Sequence, residues 1–345
     1  MAFAARFAGM PTYAFRSDWP PLDDWVAHVR AGRIDWLSRA LSLVENRRPE
    51  AQELAQALLQ QLLPLTGRAL RVGISGAPGV GKSTFIEAWG VHRADLGQRV
   101  AVLAIDPSSS RSRGSILGDK TRMNRLSTHA RAYVRPSAAG TTLGGVARAT
   151  RESLLLCDAA GFDLLILETV GVGQSETLAA GMVDVFVVLL QAGGGDELQG
   201  IKRGILELAD HVLVTKADGE TLPAARRAAG EFRSAFQYFP PQDDGWRPEV
   251  GICSAMDGTG LSELDARLAD LQAHRQRAGS WEGRRLAQRL AWFEESTGQL
   301  VADLVEADPR LREHRMALRQ AVVAQQLTPW QAARQLVEGL QGYRE

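Results

Sequence analysis

The stretch that decides the fold is Gly76-Ala77-Pro78-Gly79-Val80-Gly81-Lys82-Ser83-Thr84. It follows the apolar run 70–74 and opens a segment that can be helical. Glycines between a strand and a helix let the backbone wrap closely around a phosphate, because they carry no Cβ. The loop N–H groups and the positive end of the helix then face the anion. The sequence therefore predicts a phosphate-binding loop, in preference to a glycine-rich turn that fits the pattern by accident.

Two side chains at the end of this loop have the chemistry of a nucleoside triphosphate site. Lys82 is expected to reach the β- and γ-phosphates, and the Ser83 hydroxyl is expected to ligate Mg²⁺. The other residues of 76–84 are expected to bind the nucleotide through the loop that they form.

Composition excludes several classes of protein. The 40 basic and 40 acidic residues cancel, so no charge excess favours a nucleic acid or an anionic membrane as partner. No apolar run approaches the ~18 residues of a membrane span. Cys157 and Cys253 lie in apolar surroundings and are expected to be buried free thiols, which is typical of a cytoplasmic protein. The six histidines lack metal-ligand spacing, which argues against a dedicated transition-metal site.

The chain divides into three parts by its apolar pattern. Helical periodicity runs over residues 22–66 and returns from Trp281. Between them, short apolar runs alternate with helical patterns, which predicts an α/β fold with a mostly parallel sheet flanked by helices. We therefore expect a P-loop NTPase domain at 67–278, an N-terminal tail and helices at 1–66, and a C-terminal helical arm at 279–345. The predicted strands are 69–75, 99–105, 131–134, 163–168, 184–190, 211–215 and 249–253.

The C-terminal segment is rich in arginine, and two interpretations stay open. One is a solvated helix face whose arginines pair with nearby acids such as Glu306. The other is an arm that docks on another chain. The arginines are Arg284, Arg285, Arg289, Arg310, Arg312, Arg315 and Arg319.

Acidic residues follow two of the predicted strands, at the edge where ligands of parallel sheets bind. Asp106 and Glu168 could each hold Mg²⁺ there, although Asp106 could instead be a helix cap and Glu168 could begin a plain turn. Asp119 is a weaker metal candidate because loops are rich in aspartate. Gln174 follows a glycine-containing loop and could orient the attacking water.

A second glycine-rich segment, 191–202, follows the next predicted strand. Three consecutive glycines cost chain entropy on ordering. Asp196 and Lys202 offer an ion pair that can break. The segment is therefore either a loop that moves or an ordinary flexible connection.

Two further segments indicate which base is bound. Thr215-Lys216-Ala217-Asp218 follows a strand and matches a guanine-reading pattern. A carboxylate accepts hydrogen bonds from guanine N1–H and the N2 amine, whereas adenine offers neither donor, and each lost charged hydrogen bond costs about 1.5–3 kcal/mol. Ser254-Ala255-Met256 follows the last strand and resembles the loop that lies over the base in GTPases. Together the two segments favour GTP over ATP.

These motifs resemble the methylmalonyl-CoA mutase-associated GTPases, the MeaB family, many of which carried the older label ArgK or LAO/AO transport kinase. The resemblance covers about residues 30–340 and is carried by segments 76–84, 102–109, 114–123, 168–176 and 191–210. It implies that Lys82, Ser83, Asp106, Asp119 and Glu168 serve phosphate and Mg²⁺, and that Asp218 reads guanine.

The resemblance also implies partners. The 191–202 loop would be a third switch that senses a mutase, with Asp196, Glu197 and Lys202 as its candidate residues, and the terminal helices would join a homodimer. Thr215 departs from the commoner Asn, which usually ties the base loop to the phosphate loop. Because Thr keeps a hydroxyl but loses the amide, looser selectivity for GTP is expected.

The implied function is a GTP-hydrolysing chaperone of an adenosylcobalamin-dependent acyl-CoA mutase, which gates cofactor loading and reactivates the mutase. The chain has no D-x-H-x-x-G motif, so cobalamin would belong to the partner. The main alternative is an ATP-dependent kinase of the LAO/AO type. A metal-insertion GTPase lacks support because no histidine-rich tail is present, and a non-hydrolysing scaffold is disfavoured by Lys82 and Glu168.

Overall fold

The computed structural model describes residues 19–105, 123–135, 143–169, 175–192 and 203–341. The chain divides after Arg285 into two compact units. The predicted boundaries at 66 and 278 stay predictions. Within the described ranges, no helix has both the length and the apolar character needed to cross a membrane.

The first unit is built on one parallel sheet. Its seven strands are β1 Leu70–Gly76, β2 Val100–Ile105, β3 Ala132–Arg135, β4 Leu164–Thr169, β5 Val185–Gln191, β6 His211–Thr215 and β7 Glu249–Ile252. They lie in the order β3-β2-β4-β1-β5-β6-β7, and each neighbouring pair is parallel. Every predicted strand is confirmed to within one residue at each end, and the predicted fold class is confirmed.

Helices cover both faces of the sheet. In the first unit they are Leu22–Arg30, Ile34–Glu45, Pro49–Leu62, Lys82–Asp95, Asn124–Ser127, Leu143–Ala159, Ser175–Ala180, Arg203–Glu207, Leu222–Phe236 and Leu261–Arg277. The helix Ser280–Ala307 leads into the second unit, which continues with Pro309–Val323 and Pro329–Gln341.

The strands alternate between two apolar cores, as buried strands with a two-residue period must. On β4, Leu165 and Leu167 face one core while Leu164 and Ile166 face the other. The first core includes the three N-terminal helices, through residues such as Leu37, Leu41, Leu54 and Leu58. The second includes Lys82–Asp95 and Leu261–Arg277, through residues such as Trp89 and Leu264.

One part of the sequence prediction concerns burial. Cys157 and Cys253 are buried free thiols, as predicted. On the helix Ile34–Glu45, the first residue Ile34 is 42% exposed, whereas Leu37 and Leu41 are fully buried.

Aspartates lie at the amino ends of three of the strands. Asp163, Asp184 and Asp210 directly precede β4, β5 and β6, and each accepts a backbone N–H from a neighbouring strand end. The distances are 2.7 Å from Arg99 N to Asp163, 2.9 Å from Arg71 N to Asp184, and 2.7 Å from Phe186 N to Asp210. These carboxylates satisfy N–H groups that would otherwise be unpaired where the ladder begins.

Buried arginines neutralise two of these aspartates. Arg285 donates to both Asp184 carboxylate oxygens, at 2.8 and 2.7 Å. Burial opposes ionisation of Asp184, but hydrogen bonds from Arg285 and Arg71 outweigh it and hold the Asp184 pKa below its usual value. Arg285 is therefore a buried structural residue, and its interpretation as part of a solvated helix face was wrong. That interpretation missed its partner because Asp184 lies about a hundred residues away in sequence. The docking arm stays a prediction.

The second buried arginine, Arg275, lies on helix Leu261–Arg277 and is 1% exposed. It donates to Asp210 at 2.5 Å, to Asp244 at 2.7 Å and to the Asp184 carbonyl oxygen at 2.7 Å. Asp210 is fully buried. The pair therefore joins the helix to the amino ends of β5 and β6.

In the second unit, arginine has a different role. Arg315 forms an ion pair with Glu306, and both side chains are about half exposed. Helices Pro309–Val323 and Pro329–Gln341 pack against each other. Asp308 caps the first of them by accepting the N–H groups of Arg310 and Leu311.

Replacing Arg275→Met should lower the free energy of unfolding by about 3–5 kcal/mol, because it leaves the buried Asp210 carboxylate without its cation. The measurement is urea unfolding followed by circular dichroism. Arg277→Met is the matched control, since Arg277 is exposed on the same helix, and it should change the free energy by less than about 0.5 kcal/mol. Equal urea midpoints for the two variants would show that the Arg275–Asp210 pair does not stabilise the fold.

Candidate nucleotide site

The phosphate loop lies between β1, which ends at Gly76, and the helix that begins at Lys82. Gly79 has φ +82° and Gly81 has φ +100°, a backbone conformation that side chains with a Cβ rarely adopt. An added Cβ at either position would meet nothing within 4 Å. Glycine is therefore required at 79 and 81 by backbone conformation rather than by space.

Gly76 is required for a different reason. A Cβ at this position would lie 2.6 Å from the carbonyl oxygen of Leu189. The loop therefore leaves the sheet in direct contact with the end of β5. Pro78 is exposed beside Gly79, Ala77 is half-buried, and Val80 turns its side chain into the core.

Lys82 folds back over the loop that precedes it. Its Nζ donates to the carbonyl oxygens of Gly76 at 2.7 Å and Ala77 at 3.1 Å. Burial lowers the pKa of the Lys82 ammonium from its usual value, although the carboxylates of Glu168 and Glu176 favour its charged form. A cation held over a ring of backbone amides is suited to bind a polyphosphate.

Ser83 and Glu168 meet, as the magnesium prediction requires. The Ser83 hydroxyl donates to Glu168 Oε1 at 3.0 Å, which brings the start of the helix to the end of β4. Thr84 is exposed next to Ser83. Hydroxyl and carboxylate oxygens are the hard ligands that Mg²⁺ prefers, so this pair fits the ion.

Six predicted site residues lie outside the described residues: Asp106, Asp119, Gln174, Asp196, Glu197 and Lys202. β2 ends at Ile105, which is paired in register with Thr169 directly after Glu168. In the described part of the chain, no group of three or more His, Cys, Asp or Glu residues could hold a metal ion. The proposed roles of these six residues stay predictions.

The predicted base-reading segment is tied to the phosphate loop through Thr215. Its Oγ1 lies 2.8 Å from the carbonyl oxygen of Val80 and 3.0 Å from that of Leu190. The connection that the commoner Asn would provide is therefore present with Thr. The expected loosening of GTP selectivity stays a prediction.

Lys216 makes a second connection between the same loops. Its Nζ donates to the carbonyl oxygen of Gly79 at 3.1 Å and to Gln191 Oε1 at 2.7 Å. The backbone of Lys216 has φ +57°, which is uncommon for a residue with a side chain and is found mainly where neighbouring contacts hold it.

The two predicted base elements also meet. The Ser254 hydroxyl donates to Asp218 Oδ2 at 2.6 Å and accepts the Met256 N–H at 3.1 Å. Backbone bonds from Cys253 N to Val214 O and from Ala217 N to Cys253 O hold the segments side by side. Ala255 is half-buried, whereas Met256 is 82% exposed.

One acid near the phosphate loop was missed by the sequence analysis. Glu176 is fully buried at the start of helix Ser175–Ala180, and its charge acts on Lys82. Its Oε2 lies 3.3 Å from the Ser175 hydroxyl. The signal in the sequence was an acid in the first turn of a helix that follows a glycine-rich loop, but this signal is common and identifies no partner.

The described residues thus form one site at the carboxyl edge of the sheet. It combines a cation over backbone amides, a hydroxyl–carboxylate pair suited to Mg²⁺, and a carboxylate placed to accept donors from a base. This combination can bind a guanine nucleotide and stabilise charge on its phosphates.

Comparison with known proteins identifies the family of this chain. A model of the family described as Methylmalonyl Co-A mutase-associated GTPase MeaB matches residues 37–310. A probable GTPase of Mycobacterium bovis is 51% identical over 332 residues, which span 95% of this chain and 98% of that protein. The mitochondrial methylmalonic aciduria type A homolog of Mus musculus is 44% identical over 312 residues, spanning 88% of this chain and 75% of the relative.

Solved structures agree with the fold. One described as LAO/AO transport system kinase matches with a TM-score of 0.73 and 35% sequence identity, covering 93% of this chain and 97% of that chain. The protein is thus a GTPase that binds GTP and GDP. The chain belongs to the family of methylmalonyl-CoA mutase-associated GTPases, MeaB.

Proposed function

We propose that this GTPase is a chaperone of an adenosylcobalamin-dependent acyl-CoA mutase of the methylmalonyl-CoA mutase type, acting in the cytoplasm. Its nucleotide state would gate cofactor loading and reactivate the mutase. Family membership is the observation that carries the proposal, and the name of the mouse relative is consistent with it. Two nucleotide states must bind the partner differently, and reciprocity then lets the partner alter hydrolysis.

Within this proposal, each described site residue has a role. Lys82 and the backbone of 76–84 hold the β- and γ-phosphates. Ser83 and Glu168 hold magnesium, which when bound neutralises charge on the transferred phosphoryl group. The Ser83–Glu168 hydrogen bond supports this assignment because it already brings both oxygens together. Glu176, like Glu168, favours the charged form of Lys82.

Six further residues have proposed roles that rest on sequence. Asp106 and Asp119 would complete the magnesium site, and Gln174 would orient the attacking water. Asp196, Glu197 and Lys202 would sense the mutase. The metal and sensing roles follow from the family resemblance, and the role of Gln174 follows from its place after a glycine-containing loop.

Base choice depends on Asp218 in this proposal. Its Oδ2 already accepts the Ser254 hydroxyl, which restrains the carboxylate. Such a carboxylate accepts the N1–H and N2 amine of guanine, and it repels the N1 lone pair of adenine. The same contact argues against the second candidate, an ATP-dependent kinase of the LAO/AO type, to which the solved relative's description points.

Asp218→Asn should raise KM for GTP by about a hundredfold or more, because two charged hydrogen bonds of about 1.5–3 kcal/mol each are lost. It should improve use of xanthosine triphosphate, because the Asn amide can donate to the xanthine 2-carbonyl. Steady-state phosphate release with GTP, ATP and xanthosine triphosphate measures both effects. Glu220→Gln, an exposed neighbour, should leave all three unchanged. ATP turnover exceeding GTP turnover in the parent would favour the kinase.

The mutase proposal is tested with purified partners. Methylmalonyl-, isobutyryl- and ethylmalonyl-CoA mutases from the same organism are each added to the parent protein, and one should raise kcat for GTP several-fold, since partner-supplied groups accelerate slow intrinsic GTPases. Lys82→Ala should show no hydrolysis with or without mutase. Unchanged hydrolysis with every mutase would refute the chaperone role and leave the GTPase activity standing.

We also propose that the protein is a homodimer joined through its second unit. Exposed apolar residues on helix Ser280–Ala307 follow one another at spacings of four, three, seven and four residues. Such spacings place them on one side of the helix, which is the pattern of a helix that packs on another helix. This apolar seam consists of Leu286, Leu290, Phe293, Leu300 and Leu304, each at least half exposed.

Phe293→Glu should convert the dimer to a monomer, because it places a charge in the centre of the apolar seam. Sedimentation velocity at micromolar concentration measures the species. Ala302→Glu is the matched control, since Ala302 is exposed and lies on the side of the helix opposite to Leu300 and Leu304. The apolar seam is not the interface if the Phe293 variant sediments like the parent.

A further inference from the structure

We propose that Asp265 is a positioning residue for nucleotide binding. Together with the contact of Thr215 to the Val80 carbonyl oxygen, it fixes the spacing between the phosphate loop and the base-reading loop, which consists of residues 254–260. The inference rests on the nucleotide site of this GTPase and does not depend on the identity of any protein partner. Asp265 lies in helix Leu261–Arg277, was singled out by no sequence motif, and is remote from the residues proposed to touch the nucleotide.

Asp265 accepts three hydrogen bonds from a single helix. Its Oδ1 accepts from Trp89 Nε1 and from Arg93 NH1, both at 2.8 Å, and its Oδ2 lies 3.0 Å from His92 Nε2. Trp89 is fully buried, and the Asp265 side chain is 16% exposed. The three donors lie three and four residues apart, so they share one face of the helix.

The donor helix is the direct continuation of the phosphate loop. It begins at Lys82, and Trp89 lies about two turns beyond that residue. A continuous helix transmits a displacement of its middle to its first turn without bending. The position of Trp89, His92 and Arg93 therefore sets the position of Lys82 and Ser83.

The acceptor helix is just as firmly joined to the base-reading loop. Residues 254–260 close on themselves through Ser254 N to Thr259 O at 2.9 Å and Gly258 N to Ser254 O at 3.1 Å. Gly260 then enters the helix at φ +81°, where an added Cβ would collide with the carbonyl oxygen of Ile252. The loop and the helix Leu261–Arg277 therefore move as one body.

Apolar side chains of both helices also lie in one core, which includes Phe85, Trp89, Leu261, Leu264 and Leu268. The hydrophobic effect itself is non-directional, whereas hydrogen bonds to a carboxylate depend on direction. Asp265 therefore adds a directional constraint on how the two helices are placed relative to each other.

The consequence concerns a ligand that spans both loops. A nucleotide contacts the phosphate loop with its phosphates and the base-reading loop with its base, so its affinity includes the gain from joining two half-sites at a fixed spacing. A small change in the distance between the two loops reduces that gain. The phosphate loop can then still bind a polyphosphate, and the base-reading loop can still bind a base.

Asp265→Asn is the decisive variant, because Asn keeps the shape but offers one acceptor oxygen for three donors. Kd for GDP and KM for GTP should each rise about tenfold, while kcat at saturating GTP changes less than about twofold. Tripolyphosphate and guanosine, measured separately by competition, should bind to the variant with affinities within about twofold of the parent values. Calorimetry and steady-state phosphate release provide these readouts.

Asp270→Asn is the control on the same helix, because Asp270 is exposed and pairs only locally with Arg267. It should leave Kd for GDP, KM for GTP and the affinities for tripolyphosphate and guanosine unchanged. If Asp265→Asn does not fold, Trp89→Phe removes one donor and keeps an aromatic side chain in the core. It should raise Kd for GDP about threefold and leave the affinity for tripolyphosphate unchanged. The proposal is overturned if GDP binds the folded variant as it binds the parent, or if tripolyphosphate weakens as much as GDP.

Discussion

The Thr215 hydroxyl joins the two halves of the nucleotide site, and the geometry of the site depends on this contact. It reaches the backbone carbonyls of Val80 and Leu190, and it does so because β6 lies beside β5, which lies beside β1. Since the acceptors are backbone atoms, the contact does not depend on the side chain at position 80. Lys216 adds a second link through Gly79.

The sheet uses acidic residues at both edges for opposite purposes. At the amino edge, Asp184 and Asp210 are buried, paired with Arg285 and Arg275, and bonded to strand N–H groups. At the carboxyl edge, Glu168 accepts a hydrogen bond from the Ser83 hydroxyl and favours the charged form of Lys82. The aspartates at the amino edge therefore stabilise the sheet, whereas Glu168 contributes to the candidate nucleotide site.

Much of this fold could be predicted from the sequence, because strands buried on both faces are continuous apolar runs that need no partner to be recognised. The phosphate loop was equally visible, since backbone requirements at Gly79 and Gly81 are local. What could not be predicted depends on pairs far apart in the chain. Arg285 was misinterpreted for this reason.

The same limit applies to Glu176 and Asp265 in the site. Their roles depend on Lys82 and on the helix that follows it, about a hundred or more residues earlier. A periodic pattern reports which face of an element is buried, but it does not report which polar group lies opposite. The sequence indicated that position 215 joins the base segment to the phosphate loop. The partners of its hydroxyl, Val80 and Leu190, could be identified only from the order of the strands.

The paired links of Thr215 and Lys216 bear on how a bound nucleotide escapes. Opening of the phosphate loop alone is resisted by the base segment, and the converse also holds, so the two loops tend to open together. Separation of the two loops then requires the Thr215 and Lys216 bonds to break together. Entry and exit of a nucleotide are thereby coupled to the end of β6 as well as to the phosphate loop.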